Sequence, residues 1–333
     1  MSDVSPDLIV DAVTGFHRSA ALKAGVDLGV FAAIAHGAAT ADEIAIRAQA
    51  APRGIRSLCD YLAVMGLLEK VHGRYALTKV SSVFLDPASP AYLGAVTGFL
   101  AAPELTSLYM ADPAAFVRNG GSPGLSIVSA DNPVWVTFAR AMTGFVAATA
   151  AAVAAIVSEW DVPPRRVLDI AAGHGLFGIR LAERVPGAEI TALDWANVLL
   201  VAQENAAKAG VTARYHTLPG SAFDLAWGGG YDLILLPNFL HHFDTHTNIG
   251  LLRKARENLG PGGRVIAIEF VPAPDRSGPP FPVHFSFMML ATTRGGDAYT
   301  EAEYEAMACD AGFATIRTAS LPPSPQTLVE FLL

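Results

Sequence analysis

The pattern of hydrophobic and polar positions divides the chain into a largely helical first half and a second half in which short apolar runs alternate with amphipathic stretches. Short apolar runs bounded by glycine or proline are typical of buried strands, whereas apolar positions three or four residues apart are typical of helices. The predicted strands are 166–170, 188–194, 213–218, 231–238, 263–271, 315–321 and 326–333, and the predicted helices lie near 176–185, 197–209, 245–258 and 300–311. This alternation predicts an α/β fold with a doubly wound parallel sheet.

The last two predicted strands depart from the parallel arrangement. The segment PPSP, residues 322–325, separates them, and it is too short for a crossover between parallel strands. The final two strands are therefore expected to be antiparallel neighbours.

The first half predicts a run of helices followed by a compact helix–helix–hairpin module. Apolar positions at helical spacing extend from residue 8 to about 35. Thr40 followed by Glu43 forms a capping-box pattern that begins a short helix, and a second helix follows Pro52. A tight turn at residues 72–74 then separates two short strands, so the module is predicted to be a winged helix.

Charge argues against nucleic acid as a partner of this winged helix. The net charge of the chain is −8. On the second helix Asp60 stands beside Arg53 and Arg56, so few unopposed basic side chains are available to bind nucleic acid phosphates. The apolar helices on either side, 8–35 and 92–110, carry more hydrophobic surface than so small a module can bury alone. A dimerisation role is therefore favoured over DNA binding, and a small molecule is the expected ligand.

A long uncharged stretch in the middle of the chain requires a choice between a buried helix and a membrane span. Residues 134–157 form one helical run, and residues 141–158 contain no charge. Because the stretch is mostly alanine, contains threonine and is short for a span, a buried helix without a membrane partner is predicted. The expected domains are 1–105 (winged helix, dimerisation), 106–160 (helical linker and substrate-lining helices) and 161–333 (α/β domain).

Cysteine content and the first residues favour a cytoplasmic protein. The chain contains two cysteines, Cys59 and Cys309, and no CxxC pair, so neither a disulfide framework nor a structural zinc site is expected. The first residues lack a basic segment followed by a long apolar core, so no signal peptide is predicted.

The second half is organised around RVLDIAAGHGLFG, residues 166–178. A buried strand ends at Ile170, and the small residues after it lead into a helix, which allows a ligand to approach the backbone closely. Residues 173–178 match G-x-G-x-x-G, and Asp194 ends the next predicted strand, so a dinucleotide-dependent oxidoreductase must be considered. A bare match to this pattern is weak evidence.

A methyl-donor site is the alternative interpretation of the same turn. Asp169 stands inside the strand, two residues before the turn, where an acidic group can serve the cationic amino-acid end of S-adenosylmethionine. No second mononucleotide-binding half follows, and the antiparallel final hairpin is foreign to the dinucleotide fold. Asp194 can accept hydrogen bonds from both ribose hydroxyls, a role that both interpretations share.

The order and spacing of six segments resemble the bacterial and plant small-molecule O-methyltransferases, the group that includes acetylserotonin, caffeate and antibiotic-tailoring enzymes. The segments are VLDIAAGHG (167–175), ALDWANVL (192–199), PGSAFD (219–224), YDLILLPNFLHHFD (231–244), LGPGGRVIAIEF (259–270) and GGDAYTEAEYEAMACDAGF (295–313). The resemblance extends from about residue 8 to the end, and the winged helix and FARAM (138–142) look like that family's dimerisation region.

The resemblance implies a class I, S-adenosyl-L-methionine-dependent O-methyltransferase of secondary metabolism. It implies a Rossmann-like sheet of order 3-2-1-4-5-7-6 with the last strand antiparallel, an N-terminal winged-helix dimerisation domain, and an obligate homodimer. It also implies that Asp194 holds the ribose, that Phe223 packs near the adenine, and that Gly173 and Gly175 let the methionine part approach the backbone. The candidate cofactor-binding residues are Asp169, Ala171, Gly173, Gly175, Asp194, Trp195, Ser221, Ala222, Phe223 and Asn238.

Two positions depart from the family pattern. Ala171 stands where the first glycine of the turn is usual, so strain is expected in the backbone there. Ser221 stands where an acidic residue usually precedes the adenine contact, which predicts a changed or water-mediated contact with the adenine.

Methyl transfer to a hydroxyl requires removal of a proton, and histidine is a common base for this step. His241 follows the fourth strand of the sheet, and the resemblance implies that it is the base and that Glu269, near the end of the fifth strand, orients it. The alternative is that His241 and His242 cap the next helix or satisfy buried groups. The family's second acidic partner falls at Ala298, beside Asp297, which leaves the base with one acidic partner fewer than in the plant enzymes.

The acceptor pocket is expected to be apolar and aromatic, which predicts a small aromatic or polyketide-like metabolite with a hydroxyl group. The candidate substrate-binding residues are Trp135, Phe138, Met142, His242, Phe285, Met288 and Met289. His242 and His246 lie four residues apart with Asp244 between them, but no third ligand is convincing, so no metal is expected. Two alternatives stay open: an N-, S- or C-methyltransferase of the same fold, and a non-enzymatic winged-helix ligand sensor.

Overall fold

The computed structural model describes residues 5–127 and 129–333 of the chain. The chain divides into two compact units, Met1–Thr106 and Ser107–Leu333. The helices that follow residue 106 therefore belong to the second unit, whereas the sequence predicts a separate segment at 106–160. Apolar side chains of the longest of them, among them Val146, Val153 and Val157, share a core with the sheet of that unit, which explains the difference.

The first unit consists of helices and a short hairpin. Its elements are α1 (Asp7–Thr14), α2 (Phe16–Asp27), α3 (Val30–Ala35), α4 (Ala41–Ala48), α5 (Pro52–Val64), β1 (Leu68–Val71), β2 (Arg74–Leu77), α6 (Lys79–Phe84), the 3₁₀ turn Gly94–Val96 and α7 (Thr97–Leu100). The predicted capping box begins α4, because the Thr40 hydroxyl accepts from the Glu43 N–H and the Glu43 carboxylate accepts from the Thr40 N–H. The predicted helix–helix–hairpin order is present in α4, α5, β1 and β2.

Asp60 ties helix α5 to the hairpin of this unit. Its carboxylate accepts from the Lys70 ammonium at 2.5 Å and from the Tyr75 hydroxyl at 2.6 Å, and it lies 3.4 Å from the Arg56 guanidinium. The bond from Lys70 and the bond from Tyr75 lower the pKa of Asp60. The charged side chains of the second helix thus hold the module together, which supports the packing role over a basic binding surface.

Helix α1 has no buried residue. Leu8, Ile9 and Val13 are 82%, 69% and 69% exposed, and Phe16 at the start of α2 is also exposed. Contiguous exposed apolar side chains on so short a segment are uncommon on a monomer and are typical of an interface.

The second unit alternates strands and helices, and α8 spans the division between the units. Its elements are α8 (Pro103–Met110), α9 (Pro113–Asn119), the 3₁₀ turn Gly124–Ile127, α10 (Pro133–Ser158), β3 (Arg166–Ile170), α11 (Leu176–Arg184), β4 (Glu189–Asp194), α12 (Ala196–Lys208), the 3₁₀ turn Thr212–Arg214, β5 (Tyr215–Pro219), β6 (Tyr231–Pro237), the 3₁₀ turn Leu240–His242, α13 (Thr245–Glu257), β7 (Leu259–Glu269), α14 (Pro280–Thr292), α15 (Glu301–Ala311), β8 (Thr315–Ser320) and β9 (Thr327–Leu332). The predicted boundaries of the strands agree with these within a few residues. Helix α14 was not among the predicted helices, because its apolar residues FSFMML show no one-sided periodicity.

These strands form one seven-stranded sheet of order β5-β4-β3-β6-β7-β9-β8. Strands β3 to β7 pair in parallel, and β9 pairs antiparallel with both β7 and β8. Numbered within the unit, this is the predicted order 3-2-1-4-5-7-6, and the predicted C-terminal hairpin is antiparallel. The α/β fold class is confirmed.

Successive side chains of each strand point to opposite faces of the sheet, and each face has its own core. On β3, Val167 packs with apolar residues of α10, α11 and α12, whereas Leu168 packs with apolar residues of α13 and α15. The helices therefore cover both faces, as a doubly wound sheet requires.

Helix α10 accounts for the long uncharged stretch of the sequence. Of the described helices, it is the one whose length and apolar composition would fit a membrane span. Val146, Val153 and Val157 of this helix are buried in the core that faces α11. Packing against the sheet layer therefore explains why the stretch is apolar.

The turn after β3 has a left-handed backbone at several positions. Ala171, Gly173 and Gly175 have φ angles of 52°, 58° and 76°. A left-handed conformation costs an alanine roughly 1–2 kcal/mol because its Cβ crowds the following carbonyl. The strain predicted at Ala171 is confirmed.

The two glycines of this turn are needed for different reasons. A Cβ on Gly175 would collide with the Tyr215 hydroxyl and would lie 2.9 Å from the Cβ of Ala202. A Cβ on Gly173 would meet, among the described atoms outside its chain neighbours, the Ala171 carbonyl oxygen at 3.8 Å. Gly173 thus leaves room for a ligand on the side of its missing Cβ, whereas Tyr215 fills that side of Gly175. The approach of the methionine part to Gly175 stays a prediction.

We expect Gly175→Ala to lower the free energy of unfolding of the second unit by about 3 kcal/mol, because the new Cβ is overpacked and the backbone is left-handed. Tryptophan fluorescence during chemical denaturation measures this unit, since Trp135, Trp160, Trp195 and Trp227 all lie in it. Gly187→Ala is the matched control, because a Cβ there meets no described atom within 4 Å. Equal unfolding midpoints for the two variants would contradict the prediction.

Candidate active site

The carboxyl ends of four parallel strands bring the candidate residues to one edge of the sheet. The glycine turn follows β3, Asp194 ends β4, Asn238 follows β6, and Glu269 ends β7. Ligands of open α/β sheets bind at this edge. The turn that carries His241 comes directly after β6 and lies at the same edge.

The Glu269 carboxylate holds His241 with a short hydrogen bond. Glu269 Oε2 lies 2.6 Å from His241 Nδ1, and Glu269 Oε1 accepts from the backbone N–H groups of Phe239 at 3.0 Å and Leu240 at 2.9 Å. Both side chains are buried. Since a carboxylate accepts, Nδ1 of His241 carries the proton, and Nε2 is left as the acceptor.

The backbone around His241 is fixed independently of its ring. The buried amide of Asn248 donates to the carbonyl oxygens of Leu240 at 2.9 Å and Phe243 at 3.2 Å. Asp244 caps helix α13 by accepting from the Thr247 N–H at 2.8 Å. The alternative in which the two histidines cap this helix is therefore wrong.

The position of the missing second acid is occupied by an apolar cluster. Ala298 is buried with Phe270, Phe285 and Met289, and the Phe285 ring meets the His241 ring edge to face, with centroids 4.7 Å apart. Asp297, beside Ala298, has other partners: its carboxylate accepts from the Ser286 hydroxyl and lies 3.4 Å from the Arg276 guanidinium. His241 therefore has one carboxylate partner.

His242 lies beside the candidate base. Its ring centroid is 4.3 Å from that of His241. His242 is exposed as a residue, yet the surrounding protein desolvates its imidazole, and this together with the neighbouring His241 lowers the pKa of His242 well below its usual range. Among the residues that the structure describes, no group of three His, Cys, Asp or Glu side chains could hold a metal ion, and metal independence stays a prediction.

Asp194 has the geometry of a group that accepts from two hydroxyls. Its Oδ2 accepts from the Gly173 N–H at 2.7 Å and its Oδ1 from the Trp195 N–H at 2.6 Å. Each carboxylate oxygen has a second acceptor site, so both can still bind a donor of a ligand. Burial raises the pKa of Asp194 to about 6, while the two backbone N–H groups oppose the shift. This arrangement, with the open space over Gly173, fits the ribose and methionine parts of the expected cofactor.

Asp169 is fully buried in strand β3 before the glycine turn. Its Oδ2 accepts from the Gly178 N–H at 3.0 Å, and its Oδ1 has no described partner. Burial raises the pKa of Asp169 to about 7. One oxygen of this carboxyl thus holds the start of α11, and its role toward the cationic end of the cofactor stays a prediction.

Ser221, Ala222 and Phe223 belong to the loop after β5, which offers a flat surface for the adenine. Phe223 is 46% exposed and packs edge to face on Phe243, with ring centroids 5.1 Å apart. The Ser221 hydroxyl accepts from the Phe223 N–H at 3.2 Å, so the residue that replaces the usual acid stabilises its own loop. Ala222 is buried below this surface.

Asn238 is held in a strained conformation by a residue that sequence reasoning missed. Its φ angle is 55°, and its side-chain oxygen accepts a hydrogen bond from the buried amide of Gln326. The Asn238 amide N–H₂ then has no described partner and can serve a ligand as a donor. Gln326 lies 88 residues away, just before β9, and no local pattern marks it.

The predicted acceptor residues fall into separate groups. Phe285 and Met289 are buried next to His241, with Met288 packed against them. Trp135 packs with Trp195 against α12. Phe138 and Met142 lie one turn apart on α10 and are half-buried. Contact with an acceptor stays a prediction for all seven candidate substrate-binding residues.

Family models match both units of the chain. The model of the O-methyltransferase domain matches residues 109–314, and the model of the O-methyltransferase dimerisation domain matches residues 10–87. The 3-hydroxy-5-methyl-1-naphthoate 3-O-methyltransferase of Streptomyces sahachiroi is 32% identical over 319 residues, which cover 94% of this chain and 91% of the relative.

Solved structures agree with this match. A structure from Nostoc punctiforme PCC 73102, provisionally described as an O-methyltransferase, is 46% identical, covers 99% of both chains and has a TM-score of 0.93. PigF, the S-adenosyl-L-methionine-dependent methyltransferase of Serratia sp. strain ATCC 39006, is 27% identical over 96% of this chain and 94% of its own length. The structure of PigF with SAH, the demethylated form of the methyl donor, has a TM-score of 0.86 and covers 99% of this chain and all of that one.

These matches decide between the two interpretations of the glycine turn. The dinucleotide interpretation and the non-enzymatic sensor are set aside, because the matched family transfers methyl groups and covers both units. The chain belongs to the O-methyltransferase family, whose members use S-adenosyl-L-methionine as the methyl donor.

Proposed function

We propose that this enzyme methylates a hydroxyl of a small aromatic or polyketide-like metabolite, with His241 as the general base. The observation that carries the proposal is the buried pair of Glu269 and His241, which lies at the same sheet edge as Asp194. The proposal includes Glu269 as the residue that orients the base.

When bound, the cofactor would supply a sulfonium methyl group, to which an oxygen nucleophile can bond while the thioether SAH leaves. We assign the ribose to Asp194, the methionine part to the open face of Gly173, and the adenine to the exposed face of Phe223. Each assignment rests on the chain's own geometry: spare acceptor sites at Asp194, free space over Gly173 and a flat exposed ring at Phe223.

His241 accepts the hydroxyl proton of the acceptor at Nε2, because its Nδ1–H is committed to Glu269. The resulting imidazolium stands next to a buried carboxylate at 2.6 Å, so the pair becomes neutral overall as the acceptor oxygen gains negative charge. Phe285 covers one side of the imidazole and limits access of water to it.

The acceptor class follows from the surroundings of the base and from the relatives. Phe270, Phe285, Met288 and Met289 form an apolar wall next to His241. Relatives of this chain are named for methylation of a hydroxynaphthoate, of mitomycin intermediates and of the tetracenomycin polyketide. An aromatic hydroxyl suits both observations, since flat apolar rings pack well on Phe and Met side chains.

The proposed assembly is a homodimer in the cytoplasm, formed through the first unit. The exposed apolar side chains of α1, among them Leu8, Ile9 and Val13, form the surface that would be covered. The match of residues 10–87 to a dimerisation domain supports this.

Replacement of His241 by Gln tests the base. We expect turnover to fall by about 10²–10⁴-fold, because general-base catalysis is lost, while the Kd for SAH stays within about twofold of wild type. Turnover is measured as transfer of a radiolabelled methyl group to a panel of hydroxynaphthoates and phenols, and the Kd by calorimetry.

The matched control for this test is His246→Gln, a second histidine close by on α13. It should keep near-normal turnover, with or without a chelator, because no metal role is expected for it. Near-normal turnover of His241→Gln would show that His241 is not the base. Methylation of amines or thiols in preference to every hydroxyl would favour the N- or S-methyltransferase alternative.

The raised pKa of Asp194 predicts a pH-dependent cofactor affinity. Above its pKa of about 6 the carboxylate is ionised and accepts from both hydroxyls, whereas it is protonated as the pH falls through that value. We expect the Kd for SAH to rise roughly tenfold between pH 8 and pH 5. The stability of the ligand-free protein depends on pH in the opposite direction. Because folding disfavours the ionised form of Asp194, the contribution of this residue to stability is greatest below its unfolded pKa and is lost as the pH rises through about 6.

Asp194→Asn supplies the control for this pH series, since it should bind SAH more weakly at every pH and lose the transition near pH 6. Asp169 titrates near 7, so a second transition there would be traced with Asp169→Asn. A Kd that stays constant from pH 8 to pH 5 in the wild type would contradict the assignment of Asp194.

A charge on α1 is expected to dissociate the dimer. Val13→Asp places a carboxylate in the apolar patch, so the particle mass in light scattering should fall from twice the chain mass to the chain mass. Val162→Asp is the control, because Val162 is 81% exposed in the second unit, and its particle mass should not change. A monomeric wild type would refute the proposed assembly.

A further inference from the structure

The ammonium group of Lys254, on helix α13, is surrounded by carbonyl oxygens of the 221–227 loop. Lys254 Nζ donates to the carbonyl oxygens of Ala222 at 2.9 Å, Phe223 at 2.9 Å and Leu225 at 2.8 Å. An ammonium has three N–H donors, so one loop uses all of them.

Trp227 completes the anchorage of the same loop. The Lys254 ammonium lies 4.9 Å from the centroid of the Trp227 ring, and Trp227 Nε1 donates to the Ala222 carbonyl oxygen at 3.0 Å. The Tyr231 hydroxyl donates to the Trp227 carbonyl oxygen at 2.6 Å. The Ala222 carbonyl oxygen therefore accepts two hydrogen bonds, one from the charged Lys254 ammonium and one from the neutral Trp227 indole.

The loop needs such an anchor because glycines flank it. Gly220 precedes it with a φ angle of 146°, and Gly228, Gly229 and Gly230 follow it, all with positive φ angles. Glycine has the widest choice of backbone conformations, so the strands on either side do not by themselves fix the position of the loop. The hydrogen bonds from Lys254 and Trp227 to carbonyl groups of the loop help to fix it.

The geometry points to Lys254 as a positioning residue for the cofactor, which acts through the backbone of Phe223. This inference rests on the proposed packing of the adenine against Phe223. Helix α13 starts directly after the turn that carries His241, so the same rigid element positions the adenine surface and the base. The residue sets where the adenine lies without touching the reacting atoms.

Lys254→Met tests this inference, because methionine keeps the long apolar stem and removes all three donors. We expect the Kd for SAH in calorimetry to rise about tenfold, and the KM for S-adenosyl-L-methionine to rise by a similar factor. The kcat at saturating cofactor should stay within about twofold, since the base is untouched. An unchanged Kd and KM would overturn the inference, even if the variant is less stable to heat.

Two further variants separate positioning from general effects on the protein. Lys254→Arg restores charge and donors in a planar fork that matches the three carbonyls less well, so its Kd should rise by about threefold only. Lys208→Met removes an exposed lysine of α12 and should leave the Kd unchanged. If Lys254→Met fails to fold, Lys254→Gln takes its place, and a wild-type Kd for that variant overturns the inference.

The SAH measurement needs no acceptor and no turnover. A wild type that binds SAH but methylates no hydroxyl would therefore refute the proposed function while Lys254 is still tested. Conversely, a full effect of His241→Gln on turnover with no effect of Lys254→Met on affinity would support the function and refute the role of Lys254.

Discussion

The buried carboxylate of Glu269 is the constraint on which the reacting end of this enzyme depends. An unpaired charge cannot be buried without a large cost, so Glu269 must be surrounded by donors. All three come from one short turn: the N–H groups of Phe239 and Leu240 and the Nδ1–H of His241. The end of β7 and the turn after β6 are therefore fixed to each other. His241, the proposed base, is placed by the same bonds that satisfy the charge.

At the proposed cofactor end of the site, too, the same groups stabilise the fold and are available to the ligand. Asp194 accepts from the backbone of the glycine turn and still has acceptor sites free. Tyr215 fills the space beside Gly175, so that the turn is supported from below while Gly173 stays open. The strain at Ala171 is tolerated because the strand before it and the helix after it are both packed into the cores.

Most helices and strands of the fold could be predicted from the sequence, because local patterns of residues determine them. Apolar periodicity predicts the strands and helices, and the short final connection predicts the antiparallel hairpin, whereas the order of the strands is implied by the resemblance to the O-methyltransferases. The ends of the strands then place Asp194 and Glu269 at one edge. Lys254 and Gln326 could not be predicted, since their partners lie 31 and 88 residues away in sequence. The bond from the Gly178 N–H to Asp169 could not be predicted for a related reason, because the direction of that side chain depends on how α11 packs.

The alanine at position 298 fits a proposed base that has a single carboxylate partner. A second acid would need donors of its own, and the small alanine side chain instead leaves room for Phe285 to meet the His241 ring. The protonated His241 and one carboxylate form a pair with no net charge. With two carboxylates, the group would have a net negative charge beside an acceptor oxygen that itself becomes negative. A neutral pair repels that oxygen less. It therefore suits an acceptor such as a phenol, whose hydroxyl is already weakly acidic, and the aromatic wall favours the same class of molecule.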